Sequence, residues 1–167
     1  MMWRHLLAVA LLSALSSAAS SQQPGAAERD DIASVKSGDP AVTAAMQRAR
    51  AELDGFLAIA GAPPPGAGRF SLKIRLPFGD DQAEYIWVNP FKRDGAGFVG
   101  VVASMPRNFS NLASGDRLAF QKKDIADWTY VIGERRKGNY TGCALLAKEP
   151  PDQYEALKKR YGLDCSD

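Results

Sequence analysis

Residues 124–142 read DIADWTYVIGERRKGNYTG, and this stretch contains the features that decide the fold. Trp128–Ile132 is rich in aromatic and β-branched residues, which predicts a strand. Gly133–Gly138 follows with three consecutive cations and predicts a solvated hairpin turn. A second strand is then predicted over Tyr140–Ala147, so the stretch is interpreted as one β-hairpin.

Four more strands are predicted upstream of this hairpin. The first has a clean apolar–polar alternation, and the third is rich in β-branched residues. The four strands are Phe70–Leu76, Glu84–Val88, Gly97–Ser104 and Arg117–Gln121. Gly97 and Gly100 leave room for a bulge or a close backbone approach.

Two helices are predicted, one at each end of the domain. Asp39 and Pro40 form a typical helix start, and apolar residues then recur every three or four positions to about Ala60. The second helix starts near Pro150–Asp152 and ends at Gly162. Strands at short spacing with a helix at either end predict an α+β fold, with a curved antiparallel sheet of about six strands.

The N-terminus has the pattern of a secretory signal peptide. Arg4 precedes an apolar run, Leu6–Ala19, that ends in small residues. A membrane anchor is the alternative, but about fourteen residues span roughly 21 Å of a ~30 Å hydrocarbon core. We therefore predict a signal peptide over residues 1–19, a flexible leader over 20–38 and a single domain over 39–167. No cysteine lies at the cleavage site, so the product is predicted to be a soluble periplasmic or secreted protein without a lipid anchor.

Composition excludes several functional classes. The sole histidine, His5, lies in the segment to be removed, so the mature chain has no histidine-dependent catalytic triad or metal site. The net charge is only +2 before cleavage, which is too weak to attract nucleic acid. We predict no catalytic residues, no metal, no cofactor, no nucleic-acid partner and no membrane span after cleavage.

The chain has two cysteines, Cys143 and Cys165, and an exported compartment is oxidising. A strand running from Cys143 to Lys148 advances about 16 Å. A helix from Pro151 to Tyr161 returns about the same distance. If the two are antiparallel, the cysteines meet, which predicts a disulfide that tethers the C-terminal helix.

Seven residues of three segments form a candidate ligand cluster. They combine carboxylates with aromatic side chains that can stack on a sugar or an aromatic ligand. They are Glu84, Trp87, Asp127, Trp128, Tyr130, Tyr140 and Thr141. Alternation places Trp128 and Tyr130 on the same face of their strand. A role in the hydrophobic core is favoured over a role in ligand binding.

The carboxylates allow two interpretations. Two carboxylates about 5–10 Å apart can hydrolyse a glycosidic bond, which would require Glu84 and Asp127 to face one open cleft. The simpler interpretation is that Asp127 accepts hydrogen bonds from backbone N–H groups near Trp128. We favour the second interpretation.

Five segments, in this order, resemble a known family: AEYIWV (83–88), GFVGVV (97–102), SGDRLAF (114–120), DIADWTYV (124–131) and GNYTG (138–142). The family they resemble is the YegJ-like bacterial domain of unknown function. The matching positions are Glu84, Trp87, Val88, Gly100, Pro106, Gly115, Asp116, Ile125, Asp127, Trp128, Tyr130, Gly138, Tyr140 and Thr141. One departure is Thr129, where family members often have methionine.

The resemblance covers about residues 40–147 and implies a small bacterial α+β domain, often exported, with no assigned reaction. The C-terminal helix looks like an extension of this pattern. The leading hypothesis is an exported module that binds an envelope protein or a small ligand. A carboxylate-dependent hydrolase of envelope glycan is the first alternative. A purely structural envelope or stress factor is the second, and it predicts no pocket.

Overall fold

Helix α1, Pro40–Gly61, is the first element of the computed structural model, which describes residues 38–166. The Asp39 carboxylate accepts hydrogen bonds from the N–H groups of Ala41 and Val42, as its position before Pro40 predicts. The predicted signal peptide, and all of the predicted leader except Gly38, lie outside the described residues.

Six strands follow α1 and form one open antiparallel sheet with the spatial order β4-β3-β2-β1-β5-β6. They are β1 (Ala67–Phe78), β2 (Gln82–Asp94), β3 (Gly97–Val102), β4 (Arg117–Phe120), β5 (Ile125–Ile132) and β6 (Arg135–Gly138). A short 3₁₀ turn, Lys122–Asp124, leads into β5. The predicted α+β class, with about six antiparallel strands and a helix at each end, is confirmed.

The strand predicted over Tyr140–Ala147 is wrong, because this segment is helix α2, Tyr140–Leu146. Its run of small and apolar residues is short, and such runs are compatible with either a helix or a strand. The chain leaves the sheet at Gly138 and Asn139, which both have positive φ. A left-handed pair ends the extended backbone, and the helix begins directly after it.

The predicted turn Gly133–Gly138 is also too long. Only Gly133 and Glu134 form the turn, and the next four residues, Arg135–Gly138, are strand β6. The sixth strand of the sheet is therefore this cationic segment rather than the one predicted after it.

The core lies between α1 and one face of the sheet. Ala49, Leu53 and Phe56 of α1 are buried there. Leu72 of β1 lies opposite Val88 of β2 and Trp128 of β5, so three neighbouring strands bury side chains on this face. These apolar contacts place the even-numbered residues of β1 from Phe70 to Leu76, and of β2 from Glu84 to Val88, toward α1.

Three irregularities interrupt the register of the sheet. Register shifts fall between Gly68 and Ser71 and between Lys73 and Ile74 of β1, and between Val88 and Phe91 of β2. The predicted close approach at Gly100 is confirmed, because a Cβ atom there would lie 2.3 Å from Cγ1 of Val88.

Helix α3, Pro151–Tyr161, ends at Gly162, whose φ of 61° is left-handed, as predicted for a helix stop. The chain then runs beside β6, where Leu163 pairs with Arg136. Lys137 of β6 forms an ion pair with Asp164 of this tail. Within residues 38–166, no helix is long and apolar enough to cross a bilayer.

Candidate functional site

Asp127 is the centre of a buried polar cluster. Its side chain is 0% exposed, and its Oδ1 accepts a 2.8 Å hydrogen bond from the N–H of Trp128. Oδ2 accepts two more from Thr141, at 2.8 Å from the backbone N–H and 2.6 Å from the hydroxyl. Asp127 therefore joins β5 to the first turn of α2 and stabilises the start of that helix.

Lys73 completes this cluster, and no pattern in the sequence had indicated it. It is 6% exposed, and its Nζ donates a 3.1 Å hydrogen bond to Oγ1 of Thr141. The same ammonium lies 4.7 Å from the ring centre of Trp87, on the neighbouring strand. In the alternating pattern of β1 this lysine resembles an ordinary solvent-facing residue. A buried aspartate elsewhere in the chain, which needs a counter-charge, is the signal that could have indicated it.

Opposing effects act on the Asp127 carboxyl. Burial raises the pKa of Asp127, while the charge of Lys73 and the hydrogen bonds from Thr141 and Trp128 lower it, and burial dominates. Both oxygens are occupied by these donors and the side chain has no solvent contact. The arrangement can hold two elements together, but it presents no carboxylate to a substrate.

Glu84 lies apart from this cluster. On β2 it is opposite Leu76 of β1, whereas Asp127 is opposite Lys73, so alternation puts the two acids on opposite faces of the sheet. Its carboxylate accepts hydrogen bonds of 2.7 and 2.9 Å from the N–H groups of Arg107 and Asn108. Glu84 therefore anchors the loop after β3, and the shared cleft that the hydrolase hypothesis requires is absent from residues 38–166.

Trp128 and Tyr130 lie on the face toward α1, in agreement with the alternation. The Trp128 ring stacks on Phe56 at 4.8 Å, and its Nε1 donates a 2.9 Å hydrogen bond to the carbonyl of Ala49. Tyr130 stacks on Phe70 at 5.4 Å. Trp128 is thus a core residue with its polar atom satisfied, which is the role that the sequence analysis favoured.

Tyr140 connects α2 to α1. Its ring meets Trp128 edge-on at 5.4 Å, its hydroxyl donates to the Glu52 carboxylate, and Arg48 lies 4.5 Å above the ring. Burial and the hydrogen bond to Glu52 raise the pKa of Tyr140, while the same bond lowers the pKa of Glu52.

The predicted disulfide is confirmed, since Cys143 and Cys165 are bonded with Cα atoms 5.6 Å apart. The path between them differs from the prediction, because Cys143 lies on helix α2 rather than on a strand. The bond closes the segment that contains α3.

The structure brings Asp127, Trp128 and Thr141 into direct contact, with Tyr140 packed on Trp128. Trp87 is half-buried beside Lys73 on the other face. The seven residues therefore line no common opening. A binding role for any of them stays a prediction.

A different region forms an open concavity, which we call the apolar hollow. It lies between the C-terminal end of α1 and strands β1 to β3, and its volume is about 570 Å³. Its walls include Leu57 of α1, Phe70 of β1, Phe91 of β2 and Phe98 of β3. Because the phenylalanines come from three different strands, no local pattern in the sequence indicates this site.

The hollow lies against the aromatic core. Phe56, which stacks on Trp128, is 6.0 Å from Phe70 and 6.1 Å from Phe91, measured between ring centres. The motif residue Trp128 thus supports the wall of the hollow from behind rather than lining it. The size is within the ~300–1,000 Å³ range of small-molecule sites.

Comparison with known proteins places the chain in a bacterial family. A family model described as "Uncharacterized protein conserved in bacteria (DUF2314)" matches residues 39–165, so the match includes the C-terminal helix, which the motifs alone had left outside the pattern. The uncharacterized protein YegJ of Escherichia coli strain K12 is 28% identical over 121 residues, which cover 72% of this chain and 76% of that protein.

A putative ankyrin repeat protein of Neisseria meningitidis serogroup B is 24% identical over 99 residues. The match covers 56% of this chain and 39% of that protein. No solved structure matches the chain. On the evidence of the family model, this chain belongs to the DUF2314 family of uncharacterized bacterial proteins.

Proposed function

We propose that this chain is an exported binding module that holds a small apolar ligand in the apolar hollow. The observation that carries the proposal is the set of phenylalanines from three strands that surrounds an open space instead of closing on it. Apolar surface left open to water is costly, so a concave aromatic wall is typical of ligand sites. A purely structural factor would have no need of such a hollow.

The state of the carboxylates also favours binding over hydrolysis. Asp127 is fully buried, and its two oxygens accept hydrogen bonds from Trp128 and Thr141. The Glu84 carboxylate accepts hydrogen bonds from the loop after β3. Neither acid is free to protonate a leaving group or to activate water.

Binding can be tested with N-phenyl-1-naphthylamine, a neutral dye that fluoresces in apolar surroundings. The wild-type protein is expected to bind it saturably. Ala60→Phe should abolish binding, because Ala60 lines the hollow and a phenyl ring would fill it. Ala58→Phe is the matched control, since Ala58 is on the same helix but exposed. Absence of saturable binding by the wild type, or equal binding by Ala60→Phe, would refute the proposal.

Export is supported by the pattern of residues 1–19 and by the Cys143–Cys165 disulfide, which is typical of an oxidising compartment. Mass spectrometry of the protein from a periplasmic fraction should give a mature chain that starts directly after Ala19 or Ser20. Full-length chains confined to the cytoplasm would contradict export and leave the binding test unaffected.

A further inference from the structure

A second concavity adjoins the apolar hollow, and we call it the cationic hollow. It lies between the start of β1, the turn after β5 and the C-terminal end of α3, and its volume is about 650 Å³. Four cations line it, namely Arg69, Arg136, Lys159 and Arg160. Glu134 is the one acidic residue among its described lining residues.

The cationic hollow has a net positive charge even when the dipole of helix α3 is included. The C-terminal end of α3 has a partial charge of about −0.5, which accounts for cations in its last turn. Even without Arg136, whose Nε donates a hydrogen bond to the carbonyl of Tyr161, the partial charge and Glu134 offset only about half of the charge of the other three cations. The surplus favours an anion, and arginine in particular binds the planar oxygen pairs of phosphate and carboxylate groups.

Arg69 lines both hollows, so they meet at this residue. The apolar hollow has two more cations, Lys92 and Arg93, and none of its described lining residues is acidic. An apolar cavity whose lining includes arginine and lysine but no acidic residue complements a ligand that is apolar at one end and anionic at the other.

Arg69 lies in a β-bulge and has a backbone conformation that is unusual for arginine. Gly68 pairs with Val131 and Ser71 pairs with Thr129, so two residues of β1 oppose one of β5 in a β-bulge. Arg69 is the first of these two residues and has a φ of 53°, a left-handed conformation that in such bulges is ordinarily adopted by glycine. A long cation therefore occupies a position whose backbone favours glycine, and bulges commonly re-aim a side chain near a functional site.

We propose that the two hollows together bind one anionic amphiphile, with its apolar body in the apolar hollow and its phosphate or carboxylate head at Arg69 and the cationic hollow. This inference rests on the proposed function, because it names the ligand class of the same site. The inference adds that the ligand must carry a negative charge, which binding in the apolar hollow alone does not require.

The test compares octyl phosphate with 1-octanol, which have the same chain and differ in the head group. Calorimetric titration at low salt should show octyl phosphate binding at least about tenfold more tightly, because each charge-assisted contact adds affinity. Raising the salt concentration should reduce the difference. Octyl phosphate should also displace N-phenyl-1-naphthylamine, whereas inorganic phosphate, which has no apolar body, should not.

Arg69→Gly is the decisive variant, because glycine accommodates the left-handed backbone while the guanidinium is removed. The preference for octyl phosphate over 1-octanol should fall by about five- to tenfold. Arg160→Gln supplies an independent variant in the cationic hollow. Arg107→Gly is the control, since Arg107 is an exposed loop residue outside both hollows.

Several results would overturn the inference. Equal affinities for octyl phosphate and 1-octanol, or an unchanged preference in both Arg69→Gly and Arg160→Gln, would exclude a role of the cations. Displacement of the dye by inorganic phosphate alone would also contradict it. Binding to anionic phospholipid vesicles without binding of monomeric octyl phosphate would indicate adsorption to a surface instead. If the dye binds but the charge preference is absent, the inference fails while the proposed function stands.

Discussion

At the scale of single residues, the most constrained position is Asp127. It lies on β5, next to the edge strand β6, has no solvent contact and joins β5 to α2 through Thr141. Burying a carboxylate of this kind costs desolvation free energy, which its hydrogen-bond donors and the Lys73 charge offset only in part. The presence of Asp127 in the family motif is thus explained by its structural role in joining β5 to α2.

Asp127→Ala should reduce the free energy of unfolding by about 3–5 kcal/mol, because it leaves the N–H of Thr141 buried without its acceptor and the Lys73 ammonium buried without its counter-charge. Urea unfolding followed by tryptophan fluorescence measures the loss. Asp127→Asn, which keeps an acceptor oxygen, should lose less. Asp80→Ala, in the exposed turn before β2, is the control and should change the free energy by less than about 0.5 kcal/mol. A loss equal to that control would contradict the architectural role.

Gly138 is constrained for a different reason. Its φ is 74°, and a Cβ atom there would lie 2.3 Å from the carbonyl oxygen of Trp128 and 2.5 Å from the indole ring. The glycine lets β6 approach Trp128 closely, just before the chain turns into α2.

Gly138→Ala should therefore be more destabilising than Gly133→Ala. Both positions have positive φ, which costs alanine about 1–2 kcal/mol, but a Cβ at Gly133 meets no atom within 4 Å. Overpacking against Trp128 should add about 1–3 kcal/mol at Gly138. Thermal and urea unfolding of the two variants provide the comparison, and equal losses would be inconsistent with the close approach.

At the scale of elements, α2 is a short helix that depends on its neighbours. Isolated helices of this length are unstable in water. Asp127 holds its first turn, Tyr140 connects it to Glu52 and Arg48 of α1, and Cys143 joins it to the C-terminal tail. The segment is helical because these contacts, rather than its own composition, stabilise it.

The contact between α2 and α1 should weaken at alkaline pH. The pKa of Tyr140 is raised in the folded protein, so its contribution to stability is present below the ordinary tyrosine pKa and is lost as the pH rises through the folded value. Absorbance titration near 295 nm should show one of the five tyrosines ionising at unusually high pH. Tyr140→Phe should remove that step and make the alkaline fall in stability shallower. A titration curve identical in the wild type and the variant would contradict this.

At the scale of the whole molecule, one disulfide attaches the C-terminal tail to α2, and polar contacts attach it to β6. The disulfide bridges 22 positions, Leu163 pairs with Arg136, and Asp164 pairs with Lys137. Hydrogen bonds from Lys137 and Ser166 lower the pKa of Asp164. The contact therefore contributes to stability above the ordinary aspartate pKa and is lost as the pH falls through the folded value.

Replacing Cys143 and Cys165 together by serine should lower the free energy of unfolding by about 3 kcal/mol, the chain-entropy value for a loop of this length. The wild type, denatured without reductant, should show no free thiols by titration. Two free thiols, or equal stability of wild type and double variant, would be incompatible with the bond.

Several parts of the fold were predictable because their signals are local. The Asp39-Pro40 start of α1, the period-two pattern of β1 and the glycine stop of α3 each act within a few residues, and the helix start, the strand and the helix stop are confirmed. The polar positions Ser71 and Lys73 of β1 are nevertheless buried. The α+β class follows from the order of such segments. The predictions for Arg135–Gly138 and Tyr140–Leu146 were wrong, because a cationic strand and a short apolar helix have weak local preferences.

Local patterns in the sequence predict the positions of α1, α3 and most strands, and the sequence contains two cysteines that can pair. The helical state of Tyr140–Leu146, the burial of Lys73 and the apolar hollow all depend on tertiary contacts. The physical reason is distance along the chain. Lys73 and Thr141 are 68 positions apart, and the phenylalanines of the hollow come from three strands, so their chemistry arises when the sheet brings them together.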